Sequence, residues 1–75
     1  MNVLILSAGG PAGYGVIKSL KDIDFDGKIV SIDGDELAVG FHMSDKSYVV
    51  PRVDDENYIS EVCKIVNKEN IDLIL

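Results

Sequence analysis

Apolar residues in this chain form short runs separated by longer segments with helical spacing. The runs rich in strand-forming residues occupy positions 2–6, 28–32, 47–50 and 71–75. The first of them, "NVLIL", shows no polar alternation, which is typical of a strand buried on both faces of a sheet. The pattern therefore predicts four short strands.

The first helical segment covers residues 11–22. Gly13, Ile17 and Leu20 recur on one face of this segment, while lysines point away from it. Pro11 suits the first turn of a helix, because its missing N–H would have no partner there. We predict a helix over this range, ended by a turn in the "DFDG" segment.

The second helical segment follows Pro51. Asp54 or Asp55 can cap this helix, and Asn70 can end it. Its apolar stripe predicts that Cys63 is a buried structural thiol. The stripe comprises Tyr58, Ile59, Val62, Cys63 and Val66.

A shorter helical turn is expected over residues 35–40, with Leu37 and Phe41 directed inward. The order of elements is then β-α-β-(short α)-β-α-β. Alternation of this kind favours a parallel sheet with right-handed crossovers. We predict an α/β, Rossmann-like three-layer sandwich: a parallel four-stranded sheet of order 3-2-1-4 with helices on both faces.

Composition narrows the class of protein. The chain has 75 residues, enough for one domain, and a net charge of -6. That charge argues against a nucleic-acid partner or an anionic membrane. No stretch approaches the roughly 18 apolar residues of a membrane span, and one cysteine fits a reducing compartment, so we expect a cytoplasmic protein. The terminal "IDLIL" resembles a buried strand without a cap or polar tail, which suggests a fragment of a longer chain.

The glycine-rich stretch "SAGGPAGYG" lies between the first strand and the first helix. In a doubly wound sheet, ligands bind near this position, where the strand order reverses between strands one and four. The loop N–H groups and the helix N-terminus could hold an anion. The spacing matches neither G-x-G-x-x-G nor a P-loop. The alternative is a positive-φ turn at Gly9 and Gly10, with Gly13 allowing close packing of the helix on the sheet.

Asp33 ends the second strand, about twenty residues past the glycine loop, where NAD-binding proteins place a ribose-binding acid. A polar residue at a strand end is also common in α/β domains, and Asp35 and Glu36 can simply begin the short helix. His42 is the only histidine and lacks a ligating partner, which argues against a metal site. No Ser/His/Asp or Cys/His constellation can be assembled, so no catalytic residue is predicted.

Four segments together resemble a known family. "GGPAGYGVIKSL", "SIDGD", "MSDKSYVVPRVDDENYI" and "CKIVNKENIDLIL" occur in the order and spacing of the N-terminal, pre-ATP-grasp domain of ATP-grasp enzymes. The chain is most similar to proteins related to the carbamoyl-phosphate synthase large subunit. The resemblance covers residues 1–75 and implies one Rossmann-like pre-ATP-grasp domain of a longer chain.

The resemblance implies a role beside two further domains, which clamp ATP and Mg²⁺ and activate a carboxylate as an acyl phosphate. This chain carries neither the metal-binding carboxylates nor the basic residues that such chemistry requires, so we expect it to bind no cofactor and to be inactive alone. Its implied partners are the remaining ATP-grasp domains and a small-molecule substrate. The residues implied to line the substrate or ligand cleft are Ala8, Gly9, Gly10, Pro11, Gly13, Asp33 and Asp35. The loop lacks the arginine that some relatives use near the substrate, which leaves the substrate class open.

Two other functions remain open at the level of sequence. One is an NAD(P)-binding Rossmann domain of an oxidoreductase, against which the incomplete glycine fingerprint counts. The other is a non-catalytic dimerisation module. If strand four is the last strand, its free edge and apolar faces are exposed, and we expect pairing into a homo-oligomer there.

Overall fold

A computed structural model describes residues 1–75 of the chain. The elements follow the predicted order. They are β1 (Asn2–Ile5), α1 (Pro11–Asp22), β2 (Lys28–Asp33), a 3-10 helix (Val39–Met43), β3 (Lys46–Val49), α2 (Tyr58–Lys68) and β4 (Leu73–Ile74). None of the helices combines the length and the apolar composition that a membrane span requires.

The four strands form one parallel sheet in the order β3-β2-β1-β4. Leu4 of β1 is aligned with Val30 of β2 on one side and with Ile74 of β4 on the other. The predicted fold class and strand order are therefore confirmed.

Each face of the sheet has its own apolar core, because side chains alternate between faces along a strand. Leu4 faces α2 and contributes to one core, whereas Val3 and Ile5 face α1 and contribute to the other. Burying one such side chain contributes about 1.5–3 kcal/mol. The α2 core adds Val30, Ile32, Val50, Val62 and Ile65, and the α1 core adds Ala8, Ile17 and Ile29. This arrangement is the predicted three-layer sandwich.

Gly13 allows α1 to approach the end of β1. A Cβ atom at this position would lie 2.8 Å from the carbonyl oxygen of Leu6 and would clash with that of Ser7. The predicted role of Gly13 in close helix packing is confirmed.

The segment between β2 and β3 differs from the prediction. Its helix is a 3-10 helix that begins at Val39 rather than at residue 35, and Leu37 is 81% exposed while Ala38 is buried. Contact with the glycine loop explains the shift: the Gly40 N–H donates to the carbonyl oxygen of Ala8 at 3.2 Å. Phe41 is half-buried against the α1 core, as expected.

The start of α2 also differs from the prediction. Neither Asp54 nor Asp55 caps the helix, whose N-cap is Asn57 without a side-chain hydrogen bond. Asp55 Oδ1 instead accepts from the Asn57 N–H at 2.7 Å. The Asp55 carboxylate thus stabilises a turn before the helix, and Asn57 rather than Asp55 occupies the N-cap position. Asn70 has φ 54 just past the helix end, consistent with its predicted role.

The rotation of α2 contradicts the prediction that Cys63 is buried. Cys63 is exposed and Ile59 is 68% exposed, whereas Val62 and Ile65 are buried. Glu69, one turn beyond Ile65, is only 4% exposed and is bound to Lys28 at the amino end of β2. The face of α2 that is buried with Glu69 is therefore not the most apolar face of the helix in the sequence.

β4 is shorter and less buried than predicted. It covers only Leu73 and Ile74, which are 44% and 48% exposed, although the Leu75 N–H still donates to the Leu4 carbonyl oxygen at 2.9 Å. The reason is its place at the edge of the sheet, outside both apolar cores.

Glu69 joins three elements at the amino ends of the strands. Its carboxylate accepts from Lys28 Nζ at 2.7 Å and from the Tyr48 hydroxyl, and lies 3.7 Å from Lys46 Nζ. The hydrogen bonds from Lys28 and Tyr48 outweigh desolvation and lower the pKa of Glu69 to about 2. The same bond to Glu69, together with burial, raises the pKa of Tyr48.

We expect Glu69→Gln to destabilise the chain at neutral pH and to remove part of its acid sensitivity. The pKa of Glu69 lies below its ordinary value of 4.5, so its stabilisation is complete above about pH 5 and is lost as the pH falls to about 2. Thermal unfolding followed by circular dichroism across this range measures the effect. Glu61→Gln is the control, since Glu61 pairs with Lys64 on the exposed surface. Parallel stability curves for wild type and Glu69→Gln would contradict the assignment.

Two alanine substitutions on α1 should act in opposite directions. Gly13→Ala should lower the free energy of unfolding by about 1–3 kcal/mol, because the new Cβ meets fixed backbone atoms. Gly15→Ala should raise it by about 0.5–1 kcal/mol, since nothing lies within 4 Å of the added atom and alanine favours the helix. Urea denaturation of both variants provides the comparison, and a stabilised Gly13→Ala chain would be inconsistent with the packing described.

Candidate functional site

An open cleft of about 320 Å³ lies at the carboxyl ends of β2 and β3. Apolar residues line part of the cleft, and we define its polar rim as Ser7, Asp33, Asp35 and Arg52. Ligands of open α/β sheets bind beyond this end of the strands. The cleft is displaced from the expected position between β1 and β4, because residues of the segment joining β3 to α2 line it beside the end of β2.

Asp33 ties the glycine loop to the end of β2. Its Oδ2 atom accepts from the Gly9 N–H at 2.8 Å, and its Oδ1 atom accepts from the Asp35 N–H at 2.9 Å. Hydrogen bonds to an ionised carboxylate are stronger than those between neutral groups. The Asp33 carboxylate therefore fixes the relative positions of two loops that border the cleft.

The N–H groups of the glycine loop are largely used within the chain. The Ala8 N–H donates to the Ile32 carbonyl oxygen at 3.0 Å, and the Gly10 N–H donates to the Ser7 carbonyl oxygen at 2.9 Å. With Gly9 bound to Asp33, three successive N–H groups have internal partners. Because an anion cradle needs free N–H groups, this geometry favours the structural alternative for the loop.

The left-handed residue of the loop is Ser7 rather than a glycine. Ser7 has φ 54, whereas no glycine has a positive φ, so the prediction of a positive-φ turn at Gly9 and Gly10 is wrong. The sharp change of direction comes earlier, where the chain leaves the sheet: the Leu6 N–H still bonds to Leu75 at 3.1 Å, and the Ala8 N–H already bonds to Ile32. Ser7 is exposed at the cleft.

Arg52 was not among the residues predicted for the site. It is the single arginine of the chain and directly follows Pro51, just beyond the end of β3. A lone cation next to the carboxyl end of a strand is the sequence signal that could have identified it. Its side-chain stem lies beside Gly34, where an added Cβ would be 3.5 Å from Arg52 Cγ. The guanidinium has no ion-pair partner within the chain. The cleft thus contains an unpaired cation.

The other predicted site residues lie in different places. Asp33 and Asp35 line the cleft, and Gly9 contacts it through Asp33. Ala8 and Gly13 are buried, and Gly10 forms the N-cap of α1. Pro11 borders a separate apolar depression on the outer face of α1. His42 is exposed, and no group of potential metal-ligating side chains is present.

The sheet order and the polar cleft at its carboxyl edge define a Rossmann-like α/β domain with a candidate ligand site. The family model described as "PylC-like, N-terminal domain" matches residues 3–75. The chain therefore belongs to the PylC-like N-terminal domain family, which is a pre-ATP-grasp domain family. A search of curated proteins finds no match. The predicted pre-ATP-grasp class is confirmed, while the relation to carbamoyl-phosphate synthase stays a prediction.

Asp33→Ala should loosen the glycine loop without unfolding the sheet. The Gly9 and Asp35 N–H groups would lose their carboxylate acceptor, and their amide hydrogen exchange should become about tenfold faster, equivalent to about 1.4 kcal/mol. Asp55→Ala, which removes a similar carboxylate turn outside the cleft, is the control and should affect Asn57 instead. Unchanged exchange at Gly9 in Asp33→Ala would show that this bond does not hold the loop.

Proposed function

We propose that the chain is the N-terminal domain of a carbamoyl-phosphate synthase-like ATP-grasp ligase that uses acyl-phosphate chemistry. In this proposal the domain shapes the substrate side of the cleft and is not catalytic alone. The observation that carries the proposal is the family match over residues 3–75, whose family is associated with multidomain ATP-grasp ligases.

The division of labour follows from the chemistry. In the proposed reaction, a substrate carboxylate oxygen attacks the γ-phosphorus of ATP, ADP leaves, and a nucleophile then displaces phosphate from the acyl phosphate. Phosphoryl transfer needs Mg²⁺ ligands and cations around the phosphates. This chain offers no group of potential metal-ligating side chains, so the remaining domains of the parent chain would hold ATP and Mg²⁺.

The charge of the cleft supports a small substrate rather than a nucleotide in this domain. Asp33 and Asp35 contribute two negative charges and Arg52 one positive charge, so the rim has a formal charge of -1. A polyphosphate would be repelled at such a site. We therefore assign the cleft to the small-molecule substrate of the reaction rather than to ATP.

The NAD(P)-binding alternative rests on the position of Asp33 at the end of β2. Both of its carboxylate oxygens already accept backbone hydrogen bonds, and the glycine loop lacks the dinucleotide spacing. These two features make dinucleotide binding the weaker proposal.

The exposed edge at β4 supports a further part of the proposal. Leu73, Ile74 and Leu75 are each nearly half exposed, and we propose that other domains of the parent chain or a second copy of this one cover them. We also propose a cytoplasmic parent enzyme without nucleic-acid or membrane partners, on the basis of the acidic composition.

The ligase proposal predicts different behaviour for the parent protein and for this chain. With ATP, Mg²⁺ and its carboxylate substrate, the parent should form an acyl phosphate that hydroxylamine traps as a hydroxamate. The 75-residue chain alone should release no ADP and should show no heat of NAD binding in calorimetry. Micromolar NAD binding by this chain would favour the NAD(P)-binding alternative, and ADP release by the parent without hydroxamate would contradict acyl-phosphate chemistry.

A further inference from the structure

We propose that Ser7 and Arg52 together form a recognition site for a single carboxylate group, and that Asp33 and Asp35 select against phosphate at the same place. The identification of the bound group as part of the ligase substrate rests on the proposed function. The binding chemistry itself follows from four residues that line the same cleft.

Arg52 is a cation without a partner in an acidic chain. Thirteen acidic residues are present, yet no carboxylate oxygen lies within 4.0 Å of its guanidinium. Its stem lies beside Gly34, and the residue lines the cleft. The planar guanidinium offers parallel N–H donors that match the two oxygens of a carboxylate.

Ser7 occupies a backbone conformation that glycine would adopt without strain. The other non-glycine residues with positive φ are Asp24 and Asn70, residue types that tolerate this region, and both lie outside the cleft. Ser7 keeps an exposed side chain at the cleft, and its hydroxyl makes no hydrogen bond within the chain. Strained residues concentrate at ligand sites, and here the strain presents a free hydroxyl.

The neighbouring carboxylates give the site its selectivity. Asp33 and Asp35 accept backbone N–H groups, so their positions are fixed and their charges stay on the rim. The net formal charge of the rim is -1, so it repels a dianion about twice as strongly as a monoanion. The direct hydrogen bonds from Arg52 and Ser7 have to outweigh this repulsion, which is smaller for a carboxylate, so the site should prefer a carboxylate to inorganic phosphate.

The test is a titration of the ¹⁵N-labelled chain with sodium acetate, followed by amide and Arg52 Nε–H shifts at constant ionic strength. Sodium phosphate at about pH 8, where it is a dianion, is the competing probe. Acetate should bind in the millimolar range, with shifts confined to Ser7, Gly34, Asp35 and Arg52, and phosphate should bind more weakly. Equal or tighter phosphate binding, or no acetate shifts at these residues, would overturn the proposal.

Variants of Arg52 distinguish specific binding of acetate by the guanidinium from nonspecific attraction of anions to any positive charge. Arg52→Gln should weaken acetate binding at least tenfold, and Arg52→Lys should retain part of it, because charge remains while the fork is lost. Lys64→Gln removes an exposed cation on α2, away from the cleft, and should bind acetate like the wild type. Equal losses in Arg52→Gln and Lys64→Gln would indicate nonspecific anion attraction and would overturn the proposal.

Ser7→Gly tests the strained residue with two readouts. Relief of the left-handed conformation should raise Tm by about 2–6 °C, while loss of the hydroxyl should weaken acetate binding several-fold. A rise in Tm with unchanged acetate affinity would remove Ser7 from the site. These measurements need no ATP, so the two proposals can fail separately. If this chain binds acetate but the parent forms no acyl phosphate, only the ligase proposal is refuted. If the parent forms the acyl phosphate but this chain does not bind acetate, only the carboxylate-site proposal is refuted.

Discussion

The carboxylate of Asp33 connects the two loops that border the cleft. It stands at the end of β2 and accepts one backbone N–H from the glycine loop and one from its own turn. An added Cβ at Gly9 would lie 3.1 Å from Asp33 Oδ2, so a side chain at this position would crowd the carboxylate. The bonded loop places Ser7 at the cleft, while the turn after β2 supports the stem of Arg52.

A second carboxylate holds the opposite end of the sheet. Glu69 binds lysines at the starts of β2 and β3 and fixes the end of α2 against them. Its buried position accompanies the rotation of α2 that leaves Cys63 exposed. The two ends of the sheet thus have different roles: the amino end is closed by ion pairs, and the carboxyl end remains open as a cleft.

This arrangement changes the function expected of the glycine loop. A glycine-rich turn after the first strand commonly holds phosphate, but here Ala8, Gly9 and Gly10 direct their N–H groups into the protein. What the loop offers the cleft is a serine side chain. This geometry is consistent with the proposed function, in which the domain binds a small substrate and other domains of the parent chain bind the nucleotide.

The sequence by itself determined the fold class, the strand order and the bounds of α1, because uninterrupted apolar runs, helical periodicity and Pro11 are local signals. It also placed Asp33 at the carboxyl edge, since parallel strands end there together. Tertiary structure decided which face of α2 is buried, where the 3-10 helix begins and which loop residue is left-handed. Each of these depends on a contact between distant residues, namely Glu69 with Lys28, Gly40 with Ala8, and Ala8 with Ile32. Arg52 joined the site for the same reason, because only the folded chain brings it beside Gly34 and leaves its charge unpaired.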